Sequence, residues 1–290
     1  MNEYLRLETG RYGPRAVLTG SWSDGLRVLC EKHRVIELEI NQANSWKGND
    51  LSFLSVLPGL VSFEIFDFNI RNIEPVHCLH NLKRLGITTY CSTEIKFSAF
   101  PLLEECGLEW RPRAVSLFDC KTVRKLFINR YKGKDTLPFS RLANLESLAI
   151  LNAPIGSLSG LTTLRKLRSL RLAGLTRLHS LAGIEELKCL EELEIHTCRR
   201  IGSIEQIGEL TRLRKLNLNN DGKIDSFKPL AKLTALELVS FYESTEVVDG
   251  DLSPLAGQTN LRSVSFQNRR HYSHRREDLS LVRSGRVDDP

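Results

Sequence analysis

Apolar residues recur along this chain in one frame: an apolar position, two variable ones, an apolar position, one variable, an apolar position. The instances begin with VIELEI (35–40), LVSFEI (60–65), LKRLGI (82–87), LEECGL (103–108) and VRKLFI (123–128). LESLAI (145–150), LRSLRL (167–172), LEELEI (190–195), LRKLNL (213–218), LELVSF (236–241) and LRSVSF (261–266) complete a set of eleven. Successive copies start 20 to 25 residues apart, the spacing of a stacked repeat. The alternation that ends each copy is the period of a strand buried on one face. One copy cannot bury its own leucines. Stacking the copies lays short strands side by side as a parallel sheet and joins the leucines into a continuous core.

Between the strands a second apolar comb has period three, as in Ile155, Leu158, Leu161 and Leu164, or Ile201, Ile204, Ile207 and Leu210. Pro75, Pro138, Pro229 and Pro254 interrupt such stretches. Period three with proline predicts 3-10 or short irregular helical turns rather than long α-helices. Exposed end repeats need caps. RAVLTG (15–20) reads as a strand and SDGLRVLCEKH (23–33) as a short helix with Ser23 or Asp24 as N-cap. The expected organisation is an N-terminal cap over 1–34, repeats over 35–268, and a C-terminal cap with a basic tail over 269–290. Within that tail DLSLVRSGRVDDP (278–290) reads as a cap remnant and a loose end.

Segments such as FKPLAKLTALELVSF and LSPLAGQTNLRSVSF resemble the leucine-rich repeat family, with a match over roughly 26–268. The 22-residue type of internalins and phosphatase-regulatory proteins is the most similar. The resemblance implies an α/β solenoid, a horseshoe or arc. It would have about eleven parallel strands on the concave face and 3-10 or short helical turns on the convex face. The family places Asn three residues after the third apolar position, where it bonds turn backbone. This chain has Ala43, Phe68, Tyr90, Arg111, Tyr131, Ala153, Leu175, Cys198, Asp221, Ser244 and Arg269 there. Either the turns are held differently or the register shifts at the turn. The chain also resembles bacterial stand-alone leucine-rich repeat proteins, some of which are thought to be immunity proteins against toxins; FYESTEVVDGDLSPL carries that likeness.

Residues between the apolar teeth face outward, where a partner would dock. The candidates for partner binding are Phe66, Tyr90, Glu109, Trp110, Arg111, Lys125, Phe127, Asn129, Tyr131, Arg171, His196, Asn219, Tyr242, Gln267 and Arg269. Exposed aromatics and arginines anchor protein interfaces. Phe68, Tyr90 and Trp110 have a competing reading as fillers of the turns that lack Asn. Residues 111–134 hold eight basic residues against one acid, and 185–195 hold five glutamates against one lysine. A basic aromatic region and an acidic stripe are therefore expected on the concave face.

Composition narrows the class. The 290 residues are 41% hydrophobic and 26% charged, with a formal net charge of +6, ordinary for a globular protein. No apolar run is long enough for a membrane helix, and the charged start MNEYLRLETGRYGPR lacks the apolar stretch of a signal peptide. Seven scattered cysteines without C-x-x-C spacing read as reduced thiols in a cytoplasmic protein. RRHYSHRRE (269–277) could touch phosphate, or hold a metal through His271 and His274, but further ligands at convincing spacing are lacking. Glu194, His196 and Cys198 alternate along one strand, so Cys–His chemistry is geometrically conceivable, although an open sheet offers no enclosure. The expectation is a monomeric, non-catalytic module without cofactor or metal. It would cover another protein, such as a toxin or an enzyme with an acidic surface. A scaffold or regulatory subunit is the alternative in the same class. Nucleic-acid binding through 111–134 and the arginine-rich tail is the weaker alternative of another class.

Overall fold

The computed structural model describes residues 4–279. Strand runs of five residues dominate, and a strand begins inside each of the eleven apolar frames. In the first of two compact units, Met1–Asn129, the strands are Leu5–Thr9 (β1), Pro14–Leu18 (β2), Glu37–Asn41 (β3), Ser62–Phe66 (β4), Arg84–Thr88 (β5), Glu105–Glu109 (β6) and Lys125–Asn129 (β7), with one helix, Asp24–Lys32 (α1). They pair in chain order; β1 and β2 are antiparallel and every later pair is parallel. The expected N-terminal strand and helix are present as β2 and α1. The hairpin partner β1 was not foreseen, since Arg6 and Glu8 break its apolar character.

The second unit, Arg130–Pro290, contains Ser147–Leu151 (β8), Ser169–Ala173 (β9), Glu192–His196 (β10), Lys215–Asn219 (β11), Lys223–Ile224 (β12), Leu238–Tyr242 (β13), Glu246–Val247 (β14) and Ser263–Phe266 (β15), and a helical turn, Ser253–Ala256 (α2). The main strands again pair parallel in order. β12 and β14 form a separate two-stranded parallel ladder.

Within each strand that falls in an apolar frame two alternate residues are buried, such as Leu170 and Leu172 of β9. Burying such a side chain contributes about 1.5–3 kcal/mol. The return segments are 3-10 turns, and the period-three comb is their inner edge. Leu161, Leu164 and Leu167 each donate their N–H to the leucine carbonyl three residues back, at 2.9, 2.9 and 3.0 Å. With three residues per turn the leucines eclipse and form a column facing the sheet. Prolines sit at the start of several turns, at Pro75, Pro112, Pro138 and Pro229, where no backbone donor is needed. A small polar residue two positions ahead accepts the first exposed N–H: Asp50 from Ser52, Asn72 from Glu74, Asp135 from Leu137, Asp251 from Ser253. Those Asx turns direct the chain from the strand edge into the return segment.

The ends of the repeat array are closed by side chains. Leu26 and Cys30 of α1 are buried, and Trp22 stacks on Phe53 with ring centroids 4.3 Å apart. At the other end Phe227, Phe241 and Phe266 form a column, with centroids 4.9 and 4.7 Å apart. Tyr272 covers it, and its hydroxyl accepts from the Val247 N–H at 3.1 Å. The RRHYSH segment thus pairs with the last repeat. Residues 280–290, most of the expected loose end, lie outside the described residues.

Candidate functional site

Strand register sets the outward rows of the first unit. One row runs Glu37, Ser62, Arg84, Glu105, Lys125, and the next Glu39, Glu64, Gly86, Gly107, Phe127. Asn41, Phe66 and Thr88 begin the third, in which Glu109 pairs with Asn129. Gly86 and Gly107 leave a strip of bare backbone between Glu64 and Phe127. Beside it lies a depression of about 260 Å³ lined by Glu39, Glu64, Phe66, Gly86 and Thr88 among others. Phe66 is 39% exposed and Phe127 44%. Two large rings therefore stand in water on a face built of rigid backbone. At the strand ends Phe66 meets Phe68 edge-on at 5.0 Å, and Phe68 stacks on Tyr90 at 4.3 Å. Tyr90 is 58% exposed, so it does not fill the inside of its turn. Trp110 is half-buried against Phe118.

The charges on this face are paired. Glu64 holds Arg84 at 3.0 Å, Glu105 holds Lys125 at 3.1 Å and also Arg11, and Glu39 holds Arg15. Burial raises the Glu105 carboxyl, but the bonds from Lys125 and Arg11 outweigh it and hold the group below the usual range. The expected basic region on the strand face is not there. Arg111 is buried, Arg113 lies in a 3-10 segment, Lys121 and Arg124 precede β7, and Lys125 alone of the unit's cluster sits on a strand. Arg130, Lys132 and Lys134, exposed in the second unit, follow a strand rather than lie on one. Position relative to the strands, not density along the sequence, decides which face a charge occupies.

In the second unit the middle row is Ala149, Arg171, Glu194, Asn217, Ser240, Ser265, and beside it lie Leu151, Ala173, His196, Asn219, Tyr242. Arg171 and His196 flank Glu194 at 3.3 and 3.5 Å, and Lys215 meets Glu192 at 2.6 Å. The acidic stripe is likewise neutralised: Glu186 pairs with Arg165 at 2.7 Å and Glu191 with Arg168 at 2.5 Å. Tyr242 is 36% exposed, Gln267 is exposed, and Asn219 accepts from the Tyr242 N–H at 3.1 Å.

No family model matches the sequence, and no curated protein matches it. Solved structures do match the fold. An internalin (InlF) from Listeria monocytogenes is similar at 19% identity and a TM-score of 0.66, covering 93% of this chain and 84% of that one. A leucine-rich repeat protein of Leptospira interrogans is similar at 14% identity and a TM-score of 0.57, covering 86% and 72%. This is a leucine-rich repeat fold.

The turns of this leucine-rich repeat correct four of the expected outward residues. After most strands of the second unit the chain enters the left-handed region, at Asn152 (φ 54°), Gly174 (66°), Thr197 (57°), Asn220 (60°) and Glu243 (61°). Asn152, Gly174, Thr197 and Asn220 send their N–H groups to the last carbonyl of the following strand, at 2.8 to 3.2 Å. The first four reversals point the next side chain inward, whereas after Glu243 the inward residue is Thr245, one position later. Tyr131, which follows Arg130 (φ 58°), is therefore only 5% exposed and packs edge-on against Phe139 at 5.3 Å. It is not a surface anchor. Arg111 is 4% exposed: its Nη1 donates to the Cys91 carbonyl at 3.0 Å, and its Nη2 to the Thr89 carbonyl and hydroxyl at 3.2 and 3.0 Å. Glu109 is buried and accepts from Asn129 Nδ2 at 2.7 Å. Arg269 is half-buried and donates to the carbonyls of Glu243 and Thr245 at 3.2 and 3.4 Å. All four serve the turns or the core.

Asp221 does the work expected of the family's Asn, its Oδ1 accepting the Cys198 N–H at 2.7 Å. In the repeats of β4 and β5 the inward residue comes one position earlier, at Asp67 and Thr89, so the register does shift there. Cys198 also turns inward, away from His196 on the strand. Burial pushes its thiol up to about 12, and Sγ lies 3.5 Å from the His196 carbonyl. No thiolate is available there near neutrality. His271 Nε2 meets the Val247 carbonyl at 3.0 Å and His274 Nδ1 meets Ser273 Oγ at 2.9 Å. No group of three or more His, Cys, Asp or Glu positioned for a metal occurs among the described residues. No helix among them is long and apolar enough to cross a membrane.

Proposed function

We propose that this leucine-rich repeat is a non-catalytic module that binds another protein through the outward rows of its strands. Phe66 and Phe127 standing in water on either side of the bare Gly86–Gly107 strip carry the reading. Such rings are the residues that anchor interfaces, and a strip without side chains lets a partner's side chain approach the backbone. Tyr90, Lys125 and Asn129 extend this surface, and Thr88 and Glu64 supply polar groups beside it. In the second unit Arg171, His196, Asn219, Tyr242 and Gln267 offer a more polar surface for the same partner class.

The finer reading is an inhibitor of the immunity kind that sterically covers a toxin or enzyme inside the cell. Seven free cysteines support a reducing compartment, and the net charge of +6 supports a partner with an acidic surface. The test is affinity capture from source cells with mass spectrometry, then calorimetry on the captured protein. Phe66→Ala with Phe127→Ala is expected to leave the melting temperature in place and weaken binding by about 2 kcal/mol or more. Unchanged affinity would refute this placement of the site.

A further inference from the structure

We propose that β1 pairs antiparallel with β1 of a second copy of this chain, about a two-fold axis through Leu7. Among the described residues the edge is open: β1 ends the order of strands and pairs with β2 on one side only. Its register fixes which backbone groups are free. The Gly10 N–H bonds the Gly13 carbonyl at 2.8 Å and the Thr19 N–H bonds the Tyr4 carbonyl at 3.0 Å. Antiparallel ladders alternate, so the even-numbered residues of β1 bond to β2. Leu5, Leu7 and Thr9 turn their N–H and C=O groups to the unpaired edge.

The side chains fit the same axis. Leu5 and Leu7 lie opposite Leu18 and Ala16, which are fully buried, so both belong to the core side of the sheet. Leu7 is nevertheless 41% exposed. Arg6 and Glu8 occupy the opposite side, as an ion pair at 2.6 Å with both side chains exposed. A two-fold axis through Leu7 sets Leu7 against Leu7 of the second copy and Leu5 against its Thr9. It also sets Arg6 against Glu8 twice. Leu5, Leu7 and Thr9 of each copy then complete a ladder of six hydrogen bonds. Arg6 and Glu8 fall at the closer, non-hydrogen-bonded positions, where cross-strand charge pairs act most strongly. An edge that is self-complementary in backbone, apolar contact and charge selects a second copy over an unrelated strand. One strand a side is a small interface, so the dimer is weak.

Sedimentation of the full chain from roughly 5 to 500 µM at low salt is the experiment, a range suited to an interface of this size. The wild type is expected to shift from monomer to dimer as concentration rises. Arg6→Glu alone, or Glu8→Arg alone, sets like charges opposite each other twice and is expected to weaken the dimer about tenfold or more. Both residues are exposed, so circular dichroism should be unchanged. The double variant restores opposite pairs and should dimerise like the wild type. An equimolar mixture of the two single variants should form a heterodimer. A wild type that stays monomeric throughout overturns the proposal, as does a dimer indifferent to these exchanges.

Discussion

Arg111 and Asp221 occupy corresponding turn positions in different repeats and meet opposite electrostatic conditions. Arg111 brings a charge inside and surrounds it with the acceptors of Thr89 and Cys91. Burial raises the Cys91 thiol, but Thr89 and the Arg111 charge more than reverse this and hold it below its ordinary value. Among the described residues no cation pairs with Asp221 and its Oδ2 has no hydrogen-bond partner, and burial raises its carboxyl to about 7. The sign of the linkage follows: the folded state holds the proton more tightly than the unfolded chain, whose carboxyl titrates near 3.9. Its contribution is full below about pH 4 and is lost as pH rises through about 7. Asp221→Asn keeps an acceptor for the Cys198 N–H and removes the titration. It is expected to stabilise the protein by about 1–3 kcal/mol at pH 8, with the gain fading towards pH 4. Urea unfolding at several pH values checks this; a gain independent of pH would show that the carboxyl is not buried as described. Frame counting could not place these residues: the left-handed Asn220 (φ 60°) ahead of Asp221 turns it inward, and Arg111 is held by acceptors about twenty residues earlier in the chain. Small polar residues before the 3-10 turns, such as Asp50, Asn72, Asp135 and Asp251, were a readable signal that the apolar comb overshadowed.

The 3-10 segments are the elements with least room. Those of neighbouring repeats lie against each other, and the spacing of stacked strands sets how closely they approach. Gly160, in the segment Ser159–Leu161, donates its N–H to Thr136 Oγ1 at 3.0 Å, and a side chain there would run into the Thr136 carbonyl. Gly160→Ala is expected to cost about 2 kcal/mol. Gly156→Ala, whose added carbon would meet nothing nearer than 3.7 Å, should be close to neutral. Equal melting temperatures for the two variants would contradict the close stacking. Strands and return turns were both legible, because alternation and period three are local patterns. β12 and β14 were not: two residues carry no period.

Within each unit the repeats contact their sequence neighbours, so damage should spread from a site along the stack. Leu170 is fully buried in β9, and Leu170→Asp places an unpaired charge there, at a cost of about 4 kcal/mol or more. Hydrogen exchange is expected to rise most in β8, β9 and β10 and least around β15 and Tyr272. An unchanged melting temperature would mean the inward register is wrong. The aliphatic comb by itself determined the repeat, the number of strands in it and the inward positions, because a stacked core requires apolar residues at fixed intervals and nothing else in the sequence has that regularity. Only the tertiary structure decided the surface. Whether Phe127 meets water while Tyr131 does not, and whether Lys125 stands on a strand while Arg111 is enclosed, depends on backbone reversals and on neighbours about twenty residues away, which no local pattern encodes.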